Sequence, residues 1–142
     1  MSKIITNSSE ETKKFAEDFA KKYFRGIIAL TGNLGAGKTT FTQGFAKGLG
    51  IKDTINSPTF VLLKRYVVPD KKQFFFHLDL YRLENEQELK NLGIEEILEN
   101  RENIILIEWA EKAENLLPKK YTNIYIDNLE EDKREIIVEE LL

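Results

Sequence analysis

The sequence predicts a three-layer α/β fold with a mixed sheet, parallel near a glycine-rich loop and antiparallel towards the edges. Two short apolar runs, residues 26–31 and 104–107, are typical of buried parallel strands. Segments whose apolar residues recur at helical spacing separate these runs. Two further pairs of strand-like segments are typical of hairpins. We therefore expect one domain, spanning residues 1–142, with helices on both faces of the sheet.

The predicted hairpins lie in the middle of the chain and at its end. Residues 61–68 and 74–81 predict two strands joined at a turn that contains Pro69 and Asp70. Residues 123–129 and 134–141 predict a second hairpin with a charged turn. Because strands joined by short turns are antiparallel, these pairs supply the antiparallel part of the sheet.

Apolar residues recur at helical spacing in three segments. The first follows Ser8, which begins a Ser-Ser-Glu-Glu sequence that fits a capping box. The second is followed by Gly48 and Gly50, which signal a helix end, and the third is opened by Asn85 and broken at Gly93. The periodic residues are Phe15, Phe19 and Tyr23 in the first segment, Phe41, Phe45 and Leu49 in the second, and Leu89 and Leu92 in the third.

Composition limits the function classes. The 142 residues contain no cysteine and one histidine, which excludes disulfides, thiolate metal sites and a histidine-rich metal centre. A net charge of −3 with 32% charged residues gives no electrostatic footprint for nucleic acid. The first residues lack the apolar core of a signal peptide, and no apolar stretch reaches membrane-spanning length. We therefore expect a cytoplasmic protein.

Residues 32–39, Gly-Asn-Leu-Gly-Ala-Gly-Lys-Thr, match the phosphate-binding pattern GxxxxGK[ST]. Glycines let the backbone turn tightly and bring its N–H groups against phosphate oxygens. Lys38 adds a cation for the β- and γ-phosphates, and the Thr39 hydroxyl is placed to ligate magnesium. A strand precedes the loop and a helix follows it, so the helix N-terminus favours the same anion. We expect the Lys38 side chain to face a cleft.

Two acidic residues directly follow predicted core strands. Asp79 ends the run that begins at Phe74, and Glu108 ends the run 104–107. Ligands of open α/β sheets lie outside the carboxyl ends of the strands, so an acid there can reach magnesium or an attacking water. The alternative is that each acid is merely the first polar residue after a core strand.

Four linked motifs resemble the bacterial TsaE family, the small ATPases required for making threonylcarbamoyladenosine in tRNA. They are residues 32–39, Ser-Pro-Thr-Phe at 57–60, His-Leu-Asp-Leu-Tyr-Arg at 77–82 and Ile-Glu-Trp at 107–109, and the likeness covers essentially the whole chain. One departure is Asn33, where the family commonly has Asp; it removes a negative charge near the loop.

The resemblance implies a role for each motif residue. Lys38 would contact the phosphates of ATP, Thr39 and Glu108 would hold Mg²⁺, and Asp79 would orient or deprotonate the hydrolytic water. Thr59 would lie on a switch-like loop that senses the terminal phosphate. The full nucleotide-binding set would be Gly35, Ala36, Gly37, Lys38, Thr39, Thr40, Trp109 and, as a weaker candidate, Arg134. The implied partners are TsaD and TsaB, of which TsaD transfers the threonylcarbamoyl group, and contact with tRNA would be indirect.

Other interpretations stay open. A small P-loop kinase would share the loop but needs an arginine-bearing lid and an acceptor pocket, for which the chain has little room. A GTPase would show an Asn-Lys-x-Asp motif, which is absent from the sequence. A non-catalytic, nucleotide-gated adaptor would use the same residues as an ATPase. His77 is interpreted as a hydrogen-bonded strand residue, and Tyr81 and Arg82 either close a strand end or form a docking surface.

Overall fold

A seven-stranded mixed sheet forms the centre of the chain in a computed structural model that describes residues 2–22, 26–33, 35, 37–53, 55 and 63–141. The strands are β1 Ser2–Thr6, β2 Gly26–Thr31, β3 Leu63–Val67, β4 Phe74–Asp79, β5 Ile104–Glu108, β6 Tyr121–Glu130 and β7 Lys133–Leu141. The helices are α1 Ser9–Lys22, α2 Lys38–Gly48, α3 Glu86–Asn91, α4 Ile94–Glu99 and a 3₁₀ helix, Ala110–Leu116. No helix in these ranges is long and apolar enough to cross a membrane.

The sheet is parallel in its middle and antiparallel at both edges, as predicted. The strand order is β1-β7-β6-β2-β5-β4-β3. β2 pairs in parallel with β5 on one side and with β6 on the other, and β5 pairs in parallel with β4. β3 closes one edge, and β7 with β1 closes the other, all by antiparallel pairing. The strand before the glycine-rich loop is therefore central.

Alternate residues of the central strands supply two separate hydrophobic clusters. Leu30 of β2 and Leu106 of β5 pack towards α1 and α2, while Ala29 and Ile105 pack towards α3, α4 and the 3₁₀ helix. This alternation is what a strand buried on both faces requires. The predicted three-layer α/β arrangement is confirmed.

Two glycines of α2 let it pack closely against α1. A Cβ on Gly44 would lie 2.4 Å from the Lys13 carbonyl oxygen, and one on Gly48 would lie 2.3 Å from the Glu17 carbonyl oxygen. The predicted helix end at Gly48 and Gly50 is confirmed, because Gly48 is the last residue of α2; the close contact shows that Gly48 serves packing as well. Gly50 alone, at φ +87°, provides the left-handed turn that ends α2.

Local signals at the helix starts behave as predicted. In α1 the Glu11 N–H donates to Ser8 Oγ at 3.1 Å, and in α3 the Glu88 N–H donates to Asn85 Oδ1 at 3.3 Å. Strand β4 ends at Asp79, two residues earlier than expected, where the Leu80 N–H donates to the Glu108 carbonyl. Strand β1, helix α4 and the 3₁₀ helix were not predicted.

Candidate nucleotide-binding site

The carboxyl ends of β4, β5 and β2 bring the two predicted acids next to the loop. Glu108 lies opposite Leu30 on one side and Asp79 on the other. Side chains alternate along each strand, so Asp79 and Glu108 share the face that carries Leu30 and Leu106, the face covered by α2. The sheet therefore aims both carboxylates at the element that begins with Lys38.

The loop enters α2 through left-handed glycines. Gly35 has a φ of +80° and Gly37 a φ of +98°, and Gly37 is the N-cap of α2 without a side-chain capping bond. An L side chain at either position would be strained. The N-cap residue therefore makes no side-chain hydrogen bond to the first N–H groups of α2, which suits an anion site at a helix N-terminus.

Lys38 is more enclosed than predicted. Its side chain is only 6% exposed, its Nζ donates to the Gly32 carbonyl at 2.7 Å, and the same atom lies 3.7 Å from the centre of the Trp109 ring. Burial lowers the pKa of Lys38, while the charges of Glu108 and Asp79 oppose that shift. The ammonium group has three donors, so the bond to Gly32 leaves donors for phosphate oxygens.

The two acids have different surroundings. Asp79 Oδ1 accepts a hydrogen bond from the Tyr81 N–H at 3.1 Å, and burial raises the pKa of Asp79 above its usual 3.8. Glu108 is 3% exposed, and its Oε2 lies 2.6 Å from Nε2 of His77. His77 is thus hydrogen-bonded, as interpreted from the sequence.

Trp109 follows Glu108 in a strained backbone conformation. Its φ of +60° is rare for a residue with a side chain, and it turns the chain from β5 into the 3₁₀ helix. Its ring packs against Tyr81 at 5.1 Å between centroids, and Lys112 Nζ donates to the Tyr81 carbonyl. Sequence reasoning missed this Tyr81–Trp109 contact, since nothing in the spacing joins residues from separate strand ends.

Beside the loop lies a cleft of about 320 Å³ lined by Asn33, Trp109, Glu111 and Tyr125. The charge of Glu111 also raises the pKa of Lys38, though less than those of Glu108 and Asp79. Glu111 was not predicted to be a site residue. Its position two residues after Trp109 is the sequence signal that could have indicated it.

Arg134 lies against the loop. A guanidinium NH₂ group donates to the Gly35 carbonyl at 3.3 Å, and a Cβ on Gly37 would meet Arg134 Nε at 3.4 Å. The other NH₂ group donates to Asn128 Oδ1 and to the Glu131 carbonyl in the β6–β7 turn. Arg134 therefore braces the loop from the hairpin, and its contact with a nucleotide stays a prediction.

The donor set suits magnesium. Thr39 and Thr40 lie half-buried in the first turn of α2, and Glu108 supplies a carboxylate at a neighbouring strand end. These are hard oxygen donors, and Mg²⁺ is usually held by one or two of them together with phosphates and waters. The described ranges contain no group of three or more His, Cys, Asp or Glu residues able to hold a metal. Ala36 and Thr59 lie outside the described residues.

Comparisons with known proteins agree with the sequence motifs. A family model described as "Threonylcarbamoyl adenosine biosynthesis protein TsaE" matches residues 6–136. The tRNA threonylcarbamoyladenosine biosynthesis protein TsaE of Bacillus subtilis is 43% identical over 92% of this chain and 80% of that protein. The protein of the same name from Treponema pallidum is 32% identical over 96% of this chain and 98% of its own.

A solved structure extends the similarity to three dimensions. The crystal structure of Bacillus subtilis YdiB matches with a TM-score of 0.81 and 34% identity, covering 99% of this chain and 86% of that one. The family match spans nearly the whole chain, including the loop, both strand-end acids and Arg134. The chain belongs to the TsaE family of threonylcarbamoyladenosine biosynthesis proteins.

Proposed function

We propose that this chain is a magnesium-dependent ATPase that serves threonylcarbamoyladenosine modification of tRNA by binding and resetting the TsaD–TsaB threonylcarbamoyl transferase. The observation that carries the proposal is the convergence of Lys38, Asp79 and Glu108 at one end of the sheet. Burial and mutual charge perturb the pKa values of both Lys38 and Asp79, which is typical of functional sites.

In this proposal the loop and Lys38 bind the phosphates of ATP. The glycine backbone and the start of α2 offer N–H groups, and Lys38 adds charge-assisted hydrogen bonds. Thr39 and Glu108 hold Mg²⁺, which neutralises charge on the phosphates when it is bound. Trp109 and Arg134 lie within the same region and complete the nucleotide contacts.

Asp79 is assigned to the hydrolytic water. A raised pKa brings a carboxylate closer to the operating pH and makes it a better proton acceptor. Its hydrogen bond from the Tyr81 N–H fixes one oxygen and so orients the group. Glu108 has one oxygen bound to His77, which suits a fixed metal ligand better than a mobile base.

Among the described residues, no arginine is placed to neutralise charge on the terminal phosphate during its transfer. Arg134 is bonded to loop and hairpin carbonyls, and Arg82 lies on the exposed segment after β4. Phosphoryl transfer often takes such an arginine from a partner. We therefore assign stimulation to TsaD and TsaB, with tRNA contacted through them in the cytoplasm.

Phosphate release tests the proposal. The purified chain, with ATP and Mg²⁺, should turn over slowly alone and faster with TsaD–TsaB, and Asp79→Asn should remain slow with both. Transfer of label to an acceptor molecule would indicate a kinase instead. Nucleotide-dependent association without any phosphate release would indicate an adaptor.

A further inference from the structure

His77 and Glu108 form a buried pair that joins β4 to β5. Their side chains are 1% and 3% exposed, and Nε2 of His77 lies 2.6 Å from Oε2 of Glu108. A carboxylate oxygen only accepts, so the imidazole Nε2 carries the hydrogen and donates it. This bond occupies one oxygen of Glu108 and restrains rotation of the carboxylate.

Strand register creates the pair. His77 lies opposite Leu106, and Glu108 is two residues farther along β5 on the same face. Diagonal neighbours of this kind are within reach of long side chains. The bond therefore couples the middle of β4 to the end of β5. The neighbouring strand β2 leads into the phosphate loop at the same edge of the sheet.

The other ring nitrogen shows that His77 is a poor choice for packing alone. Nδ1 is buried, and no residue in the described part of the chain hydrogen-bonds it. A buried polar atom without a partner lowers stability, so an apolar side chain would fill this position better. What the imidazole adds over an apolar residue is its bond to Glu108.

We propose that His77 is a positioning residue for Glu108. His77 holds Oε2 of Glu108 and leaves Oε1 for the magnesium ion that accompanies ATP. The Glu108 carboxylate is therefore oriented before the nucleotide binds. This inference rests on the proposed function. It predicts that His77 affects nucleotide affinity only when the metal is present.

The test compares the affinity for a non-hydrolysable ATP analogue with Mg²⁺ and with excess EDTA, by calorimetric titration. The ratio of the two affinities is the metal gain. His77→Leu should reduce the metal gain about tenfold or more, the usual loss when an outer-shell partner of a metal ligand is removed. His77→Gln, whose amide nitrogen reaches the Nε2 position, should retain most of it.

A matched control separates positioning from packing. Leu106→Val shortens the buried residue opposite His77 and should keep the full metal gain. The inference is overturned if His77→Leu keeps the wild-type gain, if its affinity falls equally with and without metal, or if Leu106→Val shows the same loss. A wild-type chain with no metal gain would instead overturn the proposed magnesium-dependent function and this inference together.

The wild-type chain allows a test that does not depend on how a variant folds. His77 is the only histidine, so its ring nitrogens give unambiguous ¹H–¹⁵N NMR signals. Adding Mg²⁺ to the complex with the ATP analogue should shift the Nε2 signal, because the metal polarises the carboxylate that accepts its hydrogen. An unchanged signal would contradict the proposal.

Discussion

The Lys38 side chain contributes both a charge and a packed aliphatic stem, so the substitutions at this position must distinguish the two contributions. Charge-assisted hydrogen bonds contribute about 1.5–3 kcal/mol each. We expect Lys38→Ala to weaken ATP binding at least about tenfold and to abolish hydrolysis, as measured by calorimetric titration and phosphate release. Lys38→Met, which keeps the stem near Trp109, should bind as poorly but unfold like the wild type. Unchanged affinity in both variants would refute the phosphate-binding assignment.

Substitutions of Asp79 and Glu108 are expected to have different effects on ATP hydrolysis. If Glu108 holds Mg²⁺ as proposed, Glu108→Gln should raise the Mg²⁺ concentration needed for half-maximal phosphate release. Asp79→Asn should bind ATP nearly normally but lose about 10²–10⁴-fold in rate, the usual effect of losing a general base. Exchanged phenotypes would mean exchanged roles, and two variants like the wild type would make both acids structural strand ends.

The raised pKa of Asp79 also predicts a pH-dependent stability. Burial makes the folded state hold this proton more tightly than the unfolded chain, whose carboxyl ionises near 3.8. Stability from this group therefore falls as pH rises through the raised pKa. Asp79→Asn should be more stable than the wild type above that pKa and lose this advantage below pH 3.8, in urea unfolding across a pH series. An advantage that grows at low pH would contradict the shift.

Individual site residues were predictable to the extent that their position follows from local pattern. The loop spacing located Lys38, and the end of an apolar run located Asp79 and Glu108. The burial of Lys38 over Trp109 and the His77–Glu108 bond were not predicted in this form. Both depend on which strands are neighbours in the sheet, and periodicity along one strand carries no information about that.

At the level of elements, the α1–α2 contact offers a direct test. Ala is more favourable than Gly in a helix interior by about 1 kcal/mol. At Gly44, however, the new Cβ would lie 2.4 Å from a backbone carbonyl that cannot rotate away. Overpacking costs about 1–3 kcal/mol and the propensity gain offsets about 1 kcal/mol of it, so we expect Gly44→Ala to destabilise the protein by up to about 2 kcal/mol in urea unfolding.

The new Cβ at Gly44 should displace α2, and the shift should reach the proposed phosphate site because α2 carries Lys38 and Thr39 in its first turn. ATP affinity of Gly44→Ala should therefore fall as well. Lys47→Ala, on the exposed side of the same helix, is the control and should change stability by less than about 0.5 kcal/mol. A stabilised Gly44→Ala would show that helix propensity outweighs the contact and that α1 packs less closely than described.

Elements with a strong period of their own were predicted, and elements that depend on partners were not. Helix α1 has apolar residues at a repeating helical spacing, and strands β2 and β5 are short but continuous apolar runs. Strand β1 is short and mostly exposed, and it is a strand because it pairs with β7. Helix α4 has six residues beyond the break at Gly93, too few for its periodicity to predict a helix.

For the whole molecule, we expect association with TsaD–TsaB to depend on the nucleotide. A ligand shifts association only through different affinities for the two states. Tyr81, just after the end of β4, is 45% exposed, so a partner can contact the chain there. Gel filtration should show more complex with a non-hydrolysable ATP analogue than with ADP. Equal association with both would mean that the nucleotide does not gate assembly.

The place of β2 in the sheet has a consequence for synthesis of the protein. β2 leads into the phosphate loop, yet both strands beside it, β5 and β6, come from the last 40 residues of the 142-residue chain. A ribosome therefore completes the loop sequence long before the strands that support it emerge. Truncated products that end before β5 keep the whole motif but lack both strands beside β2, so we expect them not to bind the nucleotide.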